Sequence, residues 1–330
     1  MDPVSQAVLG ASCAQSVSRR RHLGAATVVG VIAGMAPDVD VLISSSTDPL
    51  LFLEYHRHFT HSLAFIPVGA LVCAAICHPF VRKRLSFLAT YLFALLGYAT
   101  HGLLDACTTY GTMLLWPFAD TRVAWNNVSV VDPLFTVPVF ALVALSYKRK
   151  SSWLGRAALT WAVAYLLIGV WQNHRAADAG RELALGRGHV PVRAVAMPSI
   201  ANLWLWRHVY EYDGNYYVDA IRVGTGTRIF AGSSVAKLDP TRQFPWLDAS
   251  STQAEDIRRF RHFADDFLGL DANVPNRIVD LRYSPLPDQV AGIWGIELDP
   301  EAPPGAHVRF ETNRDVALSQ AGHLFEMLFD

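Results

Sequence analysis

Four apolar stretches of membrane-crossing length dominate the chain: 62–81, 87–107, 128–147 and 153–171. Each approaches the roughly 20 residues that a helix needs to cross about 30 Å of hydrocarbon. A chain with several such runs must either bury them all in one core or place them in a bilayer. The composition decides for the bilayer. Only 17% of the 330 residues are charged, against 52% hydrophobic, whereas a soluble domain carries about 25% charged residues. Two shorter segments, 4–17 and Leu23–Met35, precede the long ones. Their alanines, glycines and serines suit close contact between membrane helices. The expected fold is therefore mainly α, an integral membrane bundle of about six helices. No cleavable leader is expected, because no basic region precedes the first apolar stretch.

The charge deficit is confined to the first half. Residues 175–330 read as a water-soluble α+β domain, so the expected domains are 1–174 and 175–330. Strands are expected at 202–212, 216–223, 228–230, 277–283, 292–298 and 307–311. Asp213-Gly214-Asn215 is a hairpin signal. An amphipathic helix is expected over 252–268, with Ile257, Phe260, Phe263, Ala264 and Phe267 on one side. Trp204, Trp206, Tyr210, Tyr212, Tyr216 and Tyr217 crowd one hairpin, where cross-strand packing accounts for most of them.

Basic residues set an orientation. Arg19-Arg20-Arg21, Arg82-Lys83-Arg84 and Lys148-Arg149-Lys150 separate alternate helices, whereas the opposite loops are poor in lysine and arginine. The positive-inside rule places the three basic turns in the cytoplasm and the 37–61 loop, the 108–127 loop and 175–330 outside. A multi-pass inner (plasma) membrane protein with an extracytoplasmic C-terminal domain is expected. The net charge of −1 and the absence of a basic stripe with interleaved aromatics argue against a nucleic-acid partner. Cys13, Cys73, Cys77 and Cys107 all lie in apolar segments and read as buried thiols rather than a disulfide framework.

The chemistry-bearing residues fall in three clusters that this topology brings to one membrane face. They are Asp38 with Asp40, then His56-Arg57-His58-Phe59-Thr60-His61, and His101 with Asp105. His101 and Asp105 are four apart and project from one face of a helix. Ionisable groups within a membrane segment are costly and point to function. Imidazole and carboxylate together suit zinc, and also manganese or iron. The expected metal ligands are Asp38, Asp40, His56, His61, His101 and Asp105, with His58 set aside. Asn126-Asn127 and Asp132-Pro133 read as a turn and cap rather than ligands.

At these residues the chain resembles the LexA-regulated, membrane-bound metal-dependent hydrolases (YdjM-like). That family is itself similar to the all-helical zinc phospholipases C and zinc nucleases. The resemblance covers residues 1–145. It rests on Asp2-Pro3-Val4-Ser5-Gln6, Pro37-Asp38-Val39-Asp40, His56-Arg57 with Thr60-His61-Ser62, His101 with Asp105, Thr108-Thr109-Tyr110-Gly111 and Leu115-Trp116-Pro117-Phe118. It implies hydrolysis, by metal-activated water, of a phosphoester in a membrane lipid or envelope precursor. Gln6 stands where many members carry histidine, which implies one or two metal ions rather than three. Arg57 is expected to hold a phosphate oxygen or to orient a ligand carboxylate, and Thr60 and Thr109 to hydrogen-bond the ligands. The sequence leaves open a non-catalytic alternative, a metal-binding membrane scaffold or transporter. It lacks the His-Glu-x-x-His helix of a zinc protease and the arginines of a metal-free phosphatase.

Overall fold

The computed structural model describes residues 1–312 and 321–329. Its contacts divide into two units. One comprises Met1–Ile43, Tyr55–Val170 and Ile200–Asn202; the other comprises Ser44–Glu54, Trp171–Ser199 and Leu203–Asp330.

The first unit is helical. Asp2 starts α1 (Pro3–Val17) by accepting from the Val4 and Ser5 amides, with proline at the first helical position, where its missing N–H is no loss. Helix α2 (Leu23–Met35) runs directly into a 3₁₀ helix, Ala36–Leu42. Together they make a 20-residue apolar span, so this short segment reaches crossing length by changing helix type. Next come α3 (Leu51–Tyr55), which lies largely in the second unit, and two 3₁₀ turns, Phe59–His61 and Leu63–Phe65. Helices α4 (Ile66–Val81) and α5 (Phe87–Ala106) follow.

Helix α6 (Pro133–Arg149) is shorter than the apolar run at 128–147 suggests. The buried carboxylate of Asp132 caps it and Pro133 opens it, leaving 128–132 outside the helix. Helix α7 (Ser152–Gly186) is longer than expected, at 35 residues. Hydropathy changes near Trp171, but nothing in Gln172-Asn173-His174-Arg175 breaks a helix, and the chain turns only at Gly188, with φ +79°. Among the described residues, four helical segments are long and apolar enough to cross a membrane: Leu23–Leu42, Leu63–Val81, Phe87–Ala106 and Ser152–Gly186.

Helices α1, α2 and α5 meet backbone to backbone. A Cβ on Gly10 would lie 2.5 Å from the Gly30 carbonyl oxygen, and one on Gly97 would lie 2.8 Å from the same atom. The core beside this crossing is small-residue packing, with Ala26, Ala33, Ala70, Ala74 and Ala94 fully buried around Val29, Phe93 and Tyr98. Such contact is how helices associate where lipid removes the hydrophobic drive. The outward faces stay apolar: Ile76, Phe80, Leu88, Val137 and Leu167 are exposed.

The second unit contains two four-stranded antiparallel sheets. The first is β1 (Arg193–Pro198), β2 (Leu205–Tyr212), β3 (Asn215–Val223) and β4 (Thr227–Ala236), in that order. Asp213 and Gly214 join β2 to β3 with φ +48° and +69°, the two left-handed positions of a tight hairpin turn. Trp206, Tyr210 and Tyr216 of this hairpin are fully buried, while Trp204 is exposed. β1 escaped the sequence reading; it is an edge strand ending at Pro198, with only two buried side chains.

A short helix, α8 (Pro240–Gln243), precedes α9 (Thr252–Phe263). The second sheet is β5 (Leu268–Leu270), β6 (Arg277–Asp280), β7 (Trp294–Glu297) and β8 (Arg309–Thr312), and α10 (Ala321–Phe329) follows it. The expected helix over 252–268 stops at Phe263 because Asp265 and Asp266 take positive φ and turn the chain into β5.

Candidate metal centre

The site is assembled on α5. His101 and Asp105, one helical turn apart and both fully buried, face the end of α2 and the 3₁₀ turn that carries His61. That turn comes so close to α5 that a Cβ on Gly102 would sit 2.2 Å from the His61 carbonyl oxygen. Tyr98, one turn earlier on α5, holds the same turn by donating to the Thr60 carbonyl at 2.8 Å. The 3₁₀ helix after α2 brings Asp38 in from the other side.

Four donor atoms converge here. His61 Nε2 lies 3.4 Å from Asp38 Oδ1 and 3.3 Å from Asp105 Oδ2. His101 Nε2 lies 3.2 Å and 3.4 Å from the same two oxygens. Zinc bonds of about 2.0–2.1 Å put the corners of a tetrahedron about 3.3–3.4 Å apart. The spacing therefore matches a four-coordinate cation. His61 Nε2 and Asp105 Oδ2 are also buried without a hydrogen-bond partner, which is costly unless something else satisfies them. The donor set of two imidazoles and two carboxylates thus fits a divalent metal in both chemistry and spacing. A second group, Asp38, Asp40 and His56, shares Asp38 with the first.

The surrounding bonds orient these donors. His101 Nδ1 donates to the Gly34 carbonyl at 2.6 Å; a carbonyl can only accept, so Nε2 is left bare toward the cluster. Asp40 Oδ2 accepts from the Arg57 amide (2.9 Å) and the Thr60 hydroxyl (2.8 Å), and lies 3.1 Å from His61 Nδ1. Its other oxygen lies 2.9 Å from His56 Nδ1. A carboxylate behind a histidine is the usual way to fix a ligand's tautomer. Burial alone would lower the His61 pKa, but the carboxylates of Asp105, Asp38 and Asp40 outweigh it and raise it to about 10.

Asp105 is held from three further sides. Arg57 Nε lies 3.3 Å from Oδ2. Gln6 Nε2 donates to Oδ1 at 3.0 Å, and the Met1 amino nitrogen contacts the same oxygen. Arg57 thus lies against the Asp105 carboxylate. It is buried, takes φ +62°, donates to Thr108 Oγ1 at 2.9 Å and stacks 4.6 Å from the Tyr110 ring centre. Thr108 in turn donates to the Asp105 carbonyl. Thr109 is buried one position outside this network. Thr108 and Gly102 were not readable as site residues; the one signal was their place within a quoted motif or beside His101. Gln6, singled out through the resemblance as standing at a histidine position, hydrogen-bonds the Asp105 carboxylate.

His58 packs instead against Tyr55, Phe59 and Trp116. Asp132 caps α6 and accepts from Tyr165 at 2.9 Å. The side chain of Asp38 is 29% exposed while His61, His101 and Asp105 are closed off, so the cluster opens past Asp38. Three residues before Asp38, Met35 lines one end of an apolar groove of about 440 Å³ between α1, α2 and α6, with Val4, Val8, Val31 and Phe140 along it.

A family model described as YdjM inner membrane protein matches residues 1–176, more than half of the chain. The chain belongs to the YdjM inner membrane protein family. The matched region contains every residue of the candidate centre. The inner membrane protein YbcI of Escherichia coli K12 is 32% identical over 154 residues, 44% of this chain and 83% of that protein. The uncharacterized protein YfhP of Bacillus subtilis 168 is 26% identical over 144 residues, 43% of this chain. That match spans 42% of the Bacillus protein. No solved structure matches. An inner membrane family and four apolar helices of spanning length agree on a membrane protein.

Proposed function

We propose that the helical half is a membrane-bound, metal-dependent hydrolase acting on a phosphoester of a lipid or envelope precursor. The observation that carries this reading is the convergence of Asp38, His61, His101 and Asp105, with each histidine nitrogen 3.2–3.4 Å from both carboxylates and two buried donor atoms lacking a hydrogen bond. These four would hold the first cation, zinc by the donor set, with manganese or iron as alternatives. Asp40 and His56, sharing Asp38, offer a second position. A bound divalent cation supplies Lewis acidity toward a phosphoryl oxygen and lowers the pKa of its water toward neutrality.

The chain's own groups do the rest. Arg57 and Gln6 fix the Asp105 carboxylate, and Asp40 with Thr60 fixes the His61 ring. The exposed edge of Asp38 marks the side from which a phosphoester approaches. The apolar groove beside Met35 supports a substrate with an acyl or isoprenoid tail. The basic turns support a site on the outer face, with the C-terminal domain on the same side.

The test is metal analysis of purified full-length protein, followed by a phosphoester panel with and without chelator. Stoichiometric metal and chelator-sensitive, metal-restored turnover are expected. Bound metal with no turnover of any lipid phosphoester would leave a binding protein and overturn the hydrolase reading.

A further inference from the structure

The loop that joins two halves of the candidate metal centre is assigned by its contacts to the second unit. Asp40 and His56 bracket it, yet Ser44–Glu54 belongs to the same unit as α9 and the second sheet. One side chain of α9 gathers it. Arg259 donates through both terminal nitrogens to Asp48, at 3.0 and 2.8 Å, and through Nε to Glu54 at 2.5 Å. It is anchored from behind by fully buried Asp256, which accepts from Arg259 Nη1 at 2.8 Å, from His307 and from the Val308 amide. Phe52 adds an edge-to-face contact with Phe310, ring centres 5.2 Å apart.

Asp48, Asp256 and His307 also lie close enough to hold an ion. Their carboxylates are already met by a guanidinium, an imidazole and a backbone amide, so this cluster is a clamp and not a second centre. A planar guanidinium suits it because one rigid fork can meet two carboxylates while Nε meets a third.

We propose that Arg259 is a positioning residue for the metal centre, acting through the 44–54 loop. Glu54 is two residues before His56, and Ile43 three after Asp40. A free loop of this length would have to be closed, at an entropic cost, each time His56 and Asp40 met. The clamp leaves only short leads on either side. The effect on metal rests on the function proposed above; the ordering of the ligand segments does not.

Two measurements on the full-length protein test this. Hydrogen exchange is followed by mass spectrometry over 38–43, 44–54 and 55–61, and cobalt(II) is titrated while its visible absorption is recorded. Arg259→Ala should speed exchange in all three segments, alter the cobalt spectrum and weaken binding by about 10–100-fold, the usual cost of losing support behind a ligand. Ile221→Ala, a cavity in the first sheet among Ala176, Trp206 and Val223, serves as the control and should leave 38–43 and 55–61 unchanged. Should Arg259→Ala not accumulate, Arg259→Lys keeps the charge, loses the fork and carries the same comparison. Faster exchange confined to 44–54, or the same ligand-segment change in Ile221→Ala, overturns the proposal. A wild type that binds no cobalt would sink the hydrolase reading, while exchange in 38–43 and 55–61 would still decide on the clamp.

Discussion

His61 Nε2 and Asp105 Oδ2 face each other at 3.3 Å, both buried and neither hydrogen-bonded. They arrive from segments 44 residues apart, and each is braced by other groups into this position. His61→Ala, His101→Ala and Asp105→Ala should each abolish stoichiometric metal while the protein still inserts, because insertion follows the apolar faces. Thr108→Val, which loosens Arg57 behind Asp105, should cost about 10–100-fold in affinity. Metal content per folded protein decides; unchanged stoichiometry in all three alanine variants would reduce these groups to structural hydrogen-bonding residues.

Gly102→Ala reverses an ordinary expectation. In a helix interior, alanine normally stabilises by roughly 0.8–1 kcal/mol over glycine. Here the added carbon meets the His61 carbonyl oxygen, and relief by backbone movement costs about 1–3 kcal/mol. The variant should melt lower than wild type and bind metal more weakly. A raised melting temperature would show that the 3₁₀ turn does not press on α5.

The second unit should be acid-sensitive through His208. Burial lowers its pKa from 6.5 to about 4, so the unfolded chain takes the proton first. The stability is fully present above about pH 6.5 and declines as pH falls toward 4, by roughly 3 kcal/mol. Denaturation of the full chain at pH 7 and pH 4.5, for wild type and His208→Gln, measures it. The variant should show the shallower pH dependence; equal slopes would exclude His208 as the cause.

Topology follows from the basic turns. A reporter fused after Lys150 should read cytoplasmic and one fused after Asp330 extracytoplasmic. The opposite result at Asp330 would put the C-terminal domain on the wrong side of the bilayer for the proposed site.

The groove beside Met35 gives a chain-length test. Ala144→Phe narrows it at the Val143–Tyr147 end. It should raise KM for long-chain phosphoesters several-fold while leaving short-chain substrates unchanged. Equal KM values for both would remove the groove from substrate binding.

Some of this was legible in the sequence because it is local. Apolar runs of about 20 residues mark helices, and Asp213-Gly214 marks a hairpin because two left-handed residues are needed there. His101 and Asp105 share a face because helical periodicity demands it. The rest depended on contacts between distant segments. The long α7 was hidden because hydropathy reports the surroundings, not where a helix ends. Gln6, Arg57 and Thr108 surround Asp105 only once α1, the His61 turn and α5 are packed; the motifs mark Gln6 and Arg57 as site residues, but which carboxylate they hold is decided by that packing. The assignment of 44–54 to the other unit is the clearest case. Its sequence reads as an outer loop between two ligand segments, and residues far along the chain, Arg259, 211 residues beyond Asp48, and Phe310, decide what that loop is tied to.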